Sequence, residues 1–100
     1  MLIWSHMTDT TAAVRNNPAL SRFELDVEDG IAVIDYHAAP GVLTFYHTEV
    51  PRQLRGRGIA ARLVREALQQ VRAQGLKVVP SCSYVTTYID RHPEFADLRA

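Results

Sequence analysis

The chain has little of what would mark a specialised scaffold. Its 100 residues include one cysteine, Cys82, which excludes an internal disulfide framework and any zinc site built from several cysteines. Only 5 glycines and 5 prolines interrupt it, and the composition has none of the bias of a disordered chain. No apolar run approaches the roughly 20 residues needed to span a bilayer. The apolar opening, residues 1–7, lacks the basic flank, sustained apolar stretch and small-residue cleavage site of a secretion signal. Charge of one sign is missing too: 11 Lys and Arg balance 11 Asp and Glu, so nothing draws the whole molecule to nucleic acid or anionic lipid. What is left describes one small domain, 47% hydrophobic, long enough to bury a core. The expectation is a soluble, reduced, cytoplasmic protein.

The zero net charge is unevenly distributed. Residues 1–51 carry two basic side chains against seven acidic ones, whereas residues 52–72 carry six arginines and one acid, Glu66. A local arginine block in a neutral chain points to an anion held at one place, or else to a solvated helix face.

Residues 1–20 show no period and read as a flexible tail, with a turn at Asn17-Pro18. Met7 offers an alternative start, and the sequence leaves open whether Met1 to His6 is native. The domain is expected over residues 21–100. Phe23, Leu25 and Val27 alternate with Glu24, Asp26 and Glu28, the period of a half-buried strand. Asp29-Gly30 supplies a turn, residues 31–37 a second strand, and residues 42–50 a third that ends at Pro51. From Ile59 the apolar residues Leu63, Val64, Ala67, Leu68 and Val71 fall at helical spacing, with Arg62, Arg65, Glu66, Gln69 and Arg72 opposite. Residues 76–79 form a short strand, parallel to the third because a right-handed crossover joins them. Residues 81–91 then have helical character until His92-Pro93. The expected fold class is mixed α+β: an antiparallel three-stranded meander, a helix, a parallel strand and a short helix.

The chemistry concentrates where strand gives way to helix, at Gln53-Leu54-Arg55-Gly56-Arg57-Gly58. The first turn of a helix has unpaired N–H groups and about half a positive charge from the aligned peptide dipoles. Glycines there let a diphosphate approach the backbone, and arginines add cationic donors. The loop is neither a P-loop, lacking its Lys-Ser/Thr pair, nor a dinucleotide fingerprint, which needs three glycines in another spacing. The alternative is a helix entrance that merely turns the chain.

Set between a meander and an amphipathic helix, this loop resembles the acetyl-CoA signature of the Gcn5-related N-acetyltransferase superfamily. The segment from His47 to Pro51, the loop itself, and Pro80-Ser-Cys-Ser-Tyr through to His92-Pro-Glu-Phe95 resemble its minimal single-domain subfamily. The resemblance implies acetyl-CoA as acyl donor, with no metal. Its pyrophosphate would lie on Gln53, Leu54, Arg55, Gly56, Arg57, Gly58 and Ile59, and its pantetheine arm would pair with the strand end at Thr48 and Val50. Cys82 falls where the thioester is implied and could accept the acetyl group, or be a small packed residue. Tyr88 resembles the tyrosine that protonates the departing thiolate, with Tyr84 a competitor one turn earlier. Glu49 and His47 share a strand face, and either could take the acceptor's proton. The implied activity is acetyl transfer to an amine or protein acceptor. The alternative is a non-catalytic acyl-CoA-binding module or regulatory subunit. Nucleic acid is not expected, because the arginine loop lacks interleaved aromatics. A cut-down scaffold could also complete its cleft as a homodimer.

Overall fold

A computed structural model describes residues 12–28 and 30–100. Strands β1 (Arg15–Asn17), β2 (Arg22–Val27), β3 (Gly30–Ala39) and β4 (Val42–Glu49) are followed by helix α1 (Ile59–Ala73), strand β5 (Lys77–Pro80) and helix α2 (Ser83–Arg91). They form one mixed sheet in the order β1-β2-β3-β4-β5, antiparallel except for the β4–β5 pair. The mixed α+β class, the meander and the parallel fourth pairing agree with the sequence expectation.

One face of the sheet carries the core. Phe23 and Leu25 from β2, Ile34 and Tyr36 from β3, and Phe45 from β4 are buried on it. Against them α1 lays Leu63, Val64, Ala67, Leu68 and Val71, all buried, at the spacing read from the sequence. Val85, Tyr88 and Ile89 of α2 and Phe95 of the closing 3-10 turn complete the layer. Fully burying a side chain of Leu or Phe size contributes roughly 1.5–3 kcal/mol, so this face dominates stability. Helix α1 ends with Leu76 N–H bonded to Val71 O and Gly75 N–H to Arg72 O, the double bond of a Schellman cap. Among the described residues no helix covers the other face, and none is long and apolar enough to cross a membrane.

The tail expectation needs correcting for residues 12–20; residues 1–11 and the turn residue Asp29 lie outside the described residues. Strand β1 pairs with β2, with Arg15 opposite Glu24, and Val14 is buried. Three side chains one turn apart along α1 hold the chain entering β1. The Arg62 guanidinium donates to Ala12 O, Glu66 accepts from Val14 N–H, and Gln70 Nε2 donates to Val14 O at 2.6 Å. The segment lacks periodicity because polar clips, rather than an apolar stripe, fix it.

The uncovered face is polar. Glu24 projects onto it and is nevertheless buried, enclosed by Arg22 Nε at 2.6 Å, Arg15 at 2.9 Å and Asn17 Nδ2 at 3.1 Å. The Arg22 hydrogen bond above all, then Asn17 and the two arginine charges, hold the Glu24 carboxyl below its ordinary pKa against the opposing effect of burial. A carboxyl with a depressed folded pKa stabilises the fold above its unfolded pKa of about 4.3, and the gain is lost as pH falls through the folded value. Glu24→Gln is therefore expected to cost about 1–3 kcal/mol at pH 7. In urea titrations the gap between variant and native protein should close as the pH drops below 4; a gap independent of pH would show that the charge contributes nothing.

Candidate functional site

The site begins where two strands part. β4 and β5 pair from Val42–Lys77 to Phe45–Pro80 and no further. Pro80 has no N–H to continue a ladder, and on β4 the register with β3 slips at the same level, leaving Tyr46 as an extra residue between Phe45 and His47. One more contact, Cys82 N–H to Phe45 O at 3.0 Å, closes the paired end, after which the chain turns into α2. β4 runs on to Glu49 with no partner from β5.

The parting opens into a groove of about 370 Å³ lined by Thr48, Glu49, Val50, Leu54, Arg55, Gly56, Gly58, Ile59, Ala60, Ala61 and Tyr84. The structure thus gathers the β4 end, the glycine loop, the mouth of α1 and the first turn of α2 around one space. A 3-10 turn, Arg52–Leu54, carries the chain from strand to loop and buries Leu54 as its anchor. Gly56 and Gly58 both have positive φ, 83° and 79°, a conformation other residues adopt at a cost of about 1–2 kcal/mol. A Cβ at either would meet no protein atom within 4 Å, so the backbone there faces open space. Gly58 caps α1 without a side-chain hydrogen bond, and the first turn holds no acid. The N–H groups of Ile59, Ala60 and Ala61, which precede the first intrahelical bond from Arg62 N–H to Gly58 O, therefore keep their electropositive end toward the groove.

The arginine block divides in two. Arg62 and Arg65 approach Glu66, and Arg72 binds Asp97 and Glu94 O, so these serve the fold. Arg52, Arg55 and Arg57 are exposed around the loop, with Arg55 Nε reaching Val50 O at 3.4 Å. Seven of the nine residues expected to bind a cofactor line the groove; Gln53 and Arg57 lie beside it, exposed on the loop.

Of the expected reactive residues, Glu49 lines the groove and its Oε1 lies 3.1 Å from His47 Nε2. Cys82 is half-buried behind Thr48, its Sγ 3.6 Å from Thr48 Oγ1. Burial pushes this thiol up, but hydrogen bonds from the Val85 backbone, the Thr48 hydroxyl and the Tyr84 and Thr48 backbones outweigh it, and the net shift is downward. Tyr84 lines the groove, whereas Tyr88 sits a turn deeper, buried and stacked on His92 with ring centroids 3.9 Å apart. Burial raises the pKa of both phenols, which keeps them protonated at neutral pH. No group of three or more His, Cys, Asp or Glu that could hold a metal occurs among the described residues. The sequence reading missed the walls formed by Ala60 and Ala61, and the slip at Tyr46. A signal for the slip was present: the apolar phase of Leu43 and Phe45 shifts by one to reach Val50.

A family model described as GCN5-related N-acetyl-transferase matches residues 22–98. Protein NATD1 of Gallus gallus and of Mus musculus are each 40% identical to the chain over 52 residues, about half of this chain and 47% of the relative. Protein NATD1 of Homo sapiens is 40% identical over the same length, 46% of that protein. The chain thus spans about half the length of the curated relatives it matches. The NMR solution structure of a GCN5-like protein from Staphylococcus aureus superposes with a TM-score of 0.69 at 19% identity, covering 91% of this chain and 90% of that one.

Because hydrogen bonds favour the thiolate, Cys82 should react with iodoacetamide at a midpoint pH below that of an ordinary thiol. Thr48→Val, which removes the hydroxyl donor and leaves the backbone donors, should move the midpoint up. An alkylation profile matching free cysteine would refute the hydrogen-bonded thiol.

Proposed function

The chain belongs to the GCN5-related N-acetyltransferase family, and from that premise we propose that residues 21–100, buttressed by residues 12–20, bind acetyl-CoA in the groove and transfer its acetyl group to an amine. The observation that carries this reading is the joining of two features in one space: a helix mouth with free amide hydrogens, and a strand edge with no neighbour. The first suits a pyrophosphate, held by backbone N–H groups with Arg52, Arg55, Arg57 and Gln53 around it. The second suits an amide-bearing arm, which can bond the unpaired β4 edge at Thr48 and Val50 as a strand would. Acetyl-CoA supplies the activated acyl group as a thioester.

The remaining work falls to side chains near the parting. The amine must lose a proton as its C–N bond forms and the thioester C–S bond breaks, and Glu49, oriented by His47, is placed to take it. The leaving thiolate needs a proton in turn. Tyr84 at the groove wall favours that role by position, with Tyr88 behind it. Cys82 offers a second route: its thiolate attacks the acyl carbon, CoA leaves as a thiol, and the amine then takes the acetyl from the cysteine. Alignment of the acyl carbon would supply much of the rate in either case.

One observation favours the rival reading of a non-catalytic acyl-CoA-binding module: no described element walls off an acceptor on the uncovered sheet face. Release of thiol from acetyl-CoA in a screen of amines and peptides supports transfer; silence from a protein that demonstrably binds acetyl-CoA supports the module.

Acetyl-CoA at a hundred times its Kd should stabilise the protein by about 2.7 kcal/mol and raise Tm accordingly. Gly58→Asp should fold about 1–2 kcal/mol less stably, the cost of a Cβ at positive φ, and lose the shift, because a carboxylate at the helix mouth repels the pyrophosphate. Absence of a shift in the native protein at millimolar acetyl-CoA excludes both readings. For the covalent route, intact-mass measurement after incubation should show an acetyl adduct missing from Cys82→Ala; full activity of that variant would eliminate it.

A further inference from the structure

The uncovered sheet face meets the parting of β4 and β5 at an aromatic surface. Because of the register slip, Tyr46 and His47 both project outward from β4 instead of alternating. The Tyr46 ring, 45% exposed, stacks on His37 of β3 with centroids 4.3 Å apart and planes 14° apart. One step along β3 on the same face is Asp35, directly opposite His47. Asp35 is half-buried, and its side chain has no hydrogen bond or ion pair among the described residues. Its cross-strand neighbour on β2, Arg22, is committed to Glu24, and His47 turns to Glu49. The face next to the reacting groups therefore presents a flat aromatic surface and an uncompensated carboxylate side by side. The opposite, helix-side approach leads to the groove assigned to the cofactor.

We propose that this surface is the acceptor subsite, and that it takes a di- or polyamine. This rests on the acetyl-transfer reading above. A nucleophilic amine must be neutral to attack, so the cation held on this face is a second charged group of the same molecule, which in a di- or polyamine is an ammonium. Such an ammonium is attracted to the negative face of an aromatic ring and to a carboxylate with no other partner. Held between Tyr46 and Asp35, it leaves the other end of a flexible alkylamine free to reach the parting beside Glu49. Charge complementarity argues against an anionic acceptor on this face, and the half-buried position of Asp35 argues against an apolar one.

Spermidine is the probe and 1,6-hexanediol its neutral control, each titrated into the CoA-loaded protein and into the free protein. The readout is NMR of the Tyr46 and His37 ring protons. Spermidine should shift both rings and the diol neither. Tyr46→Leu should weaken spermidine binding by about three- to fivefold, as expected for a cation–π contact at an exposed site. Tyr46→Phe, which keeps the ring, should bind like the native protein, and Asp35→Asn should bind more weakly. Equal responses to spermidine and the diol, or undiminished binding in both Tyr46→Leu and Asp35→Asn, overturns the proposal. So does a concentration-dependent dimer in sedimentation whose face no longer responds to spermidine. The CoA-induced thermal shift, measured on the same samples, separates the two readings. Its absence with spermidine binding intact defeats the cofactor assignment, and with it the acceptor role of the amine site; its presence without ring shifts defeats only the acceptor subsite.

Discussion

The candidate site depends on the separation of β4 from β5 just past the Phe45–Pro80 pair. Two local causes act at the same level. Pro80 removes a ladder donor from one strand, and the extra residue Tyr46 throws the other out of step with β3. Either alone would weaken the end of the sheet. Together they leave the last residues of β4 with backbone groups directed at open space, beside a helix whose first turn is also unsatisfied. Unmet backbone hydrogen-bonding groups at the edge of a core are costly unless water or a ligand meets them. The fold retains two sets of them facing one groove, which an ordinary frayed strand would not do.

The charged residues divide by function along the chain. Two acids of the first half are used on the uncovered sheet face, where Glu24 draws in Arg15 and Arg22 and Asp26 also binds Arg15. In the arginine block, Arg62, Arg65 and Arg72 serve helix α1 and what it holds, and the loop arginines remain around the groove. Three arginines of that block therefore hold the fold, and three stay exposed around the loop. Counting charge by segment located the block, but could not separate clips from exposed loop arginines. That distinction turns on which residues the fold brings opposite, and Ala12 and Val14 are 50 and 56 positions away from Arg62 and Gln70.

Periodicity made the meander and α1 legible through their apolar stripes, and the crossover rule gave the parallel pairing. It did not reveal β1: Arg15, Asn16 and Asn17 contain no apolar residue, and their strand exists through pairing with β2 and the clips from α1. Strand ends moved by a residue or two where proline intervened, since Pro80 can occupy the last paired position although it cannot extend the ladder. In the site, the glycine loop was legible because its residue types answer a backbone requirement. The ordering of the tyrosines was not. Tyr84 and Tyr88 are a turn apart on one helix, and only the packing of Tyr88 against His92 and Phe95 shows which reaches the groove wall.

A two-layer scaffold of this size has one consequence for its chemistry. With both helices on one face, the parted strands can be reached from two sides that differ in character. The helix side offers amide hydrogens and arginines, which suit an anionic donor. The bare side offers carboxylates and an aromatic stack, which suit a cationic acceptor. Partners of opposite charge entering from opposite faces would meet where β4 and β5 diverge, without competing for one entrance. Larger enzymes can build such a separation from added helices and loops. Here it follows from leaving one sheet face uncovered, and Tyr46, one of the two residues that part the strands, also supplies the exposed ring on that face.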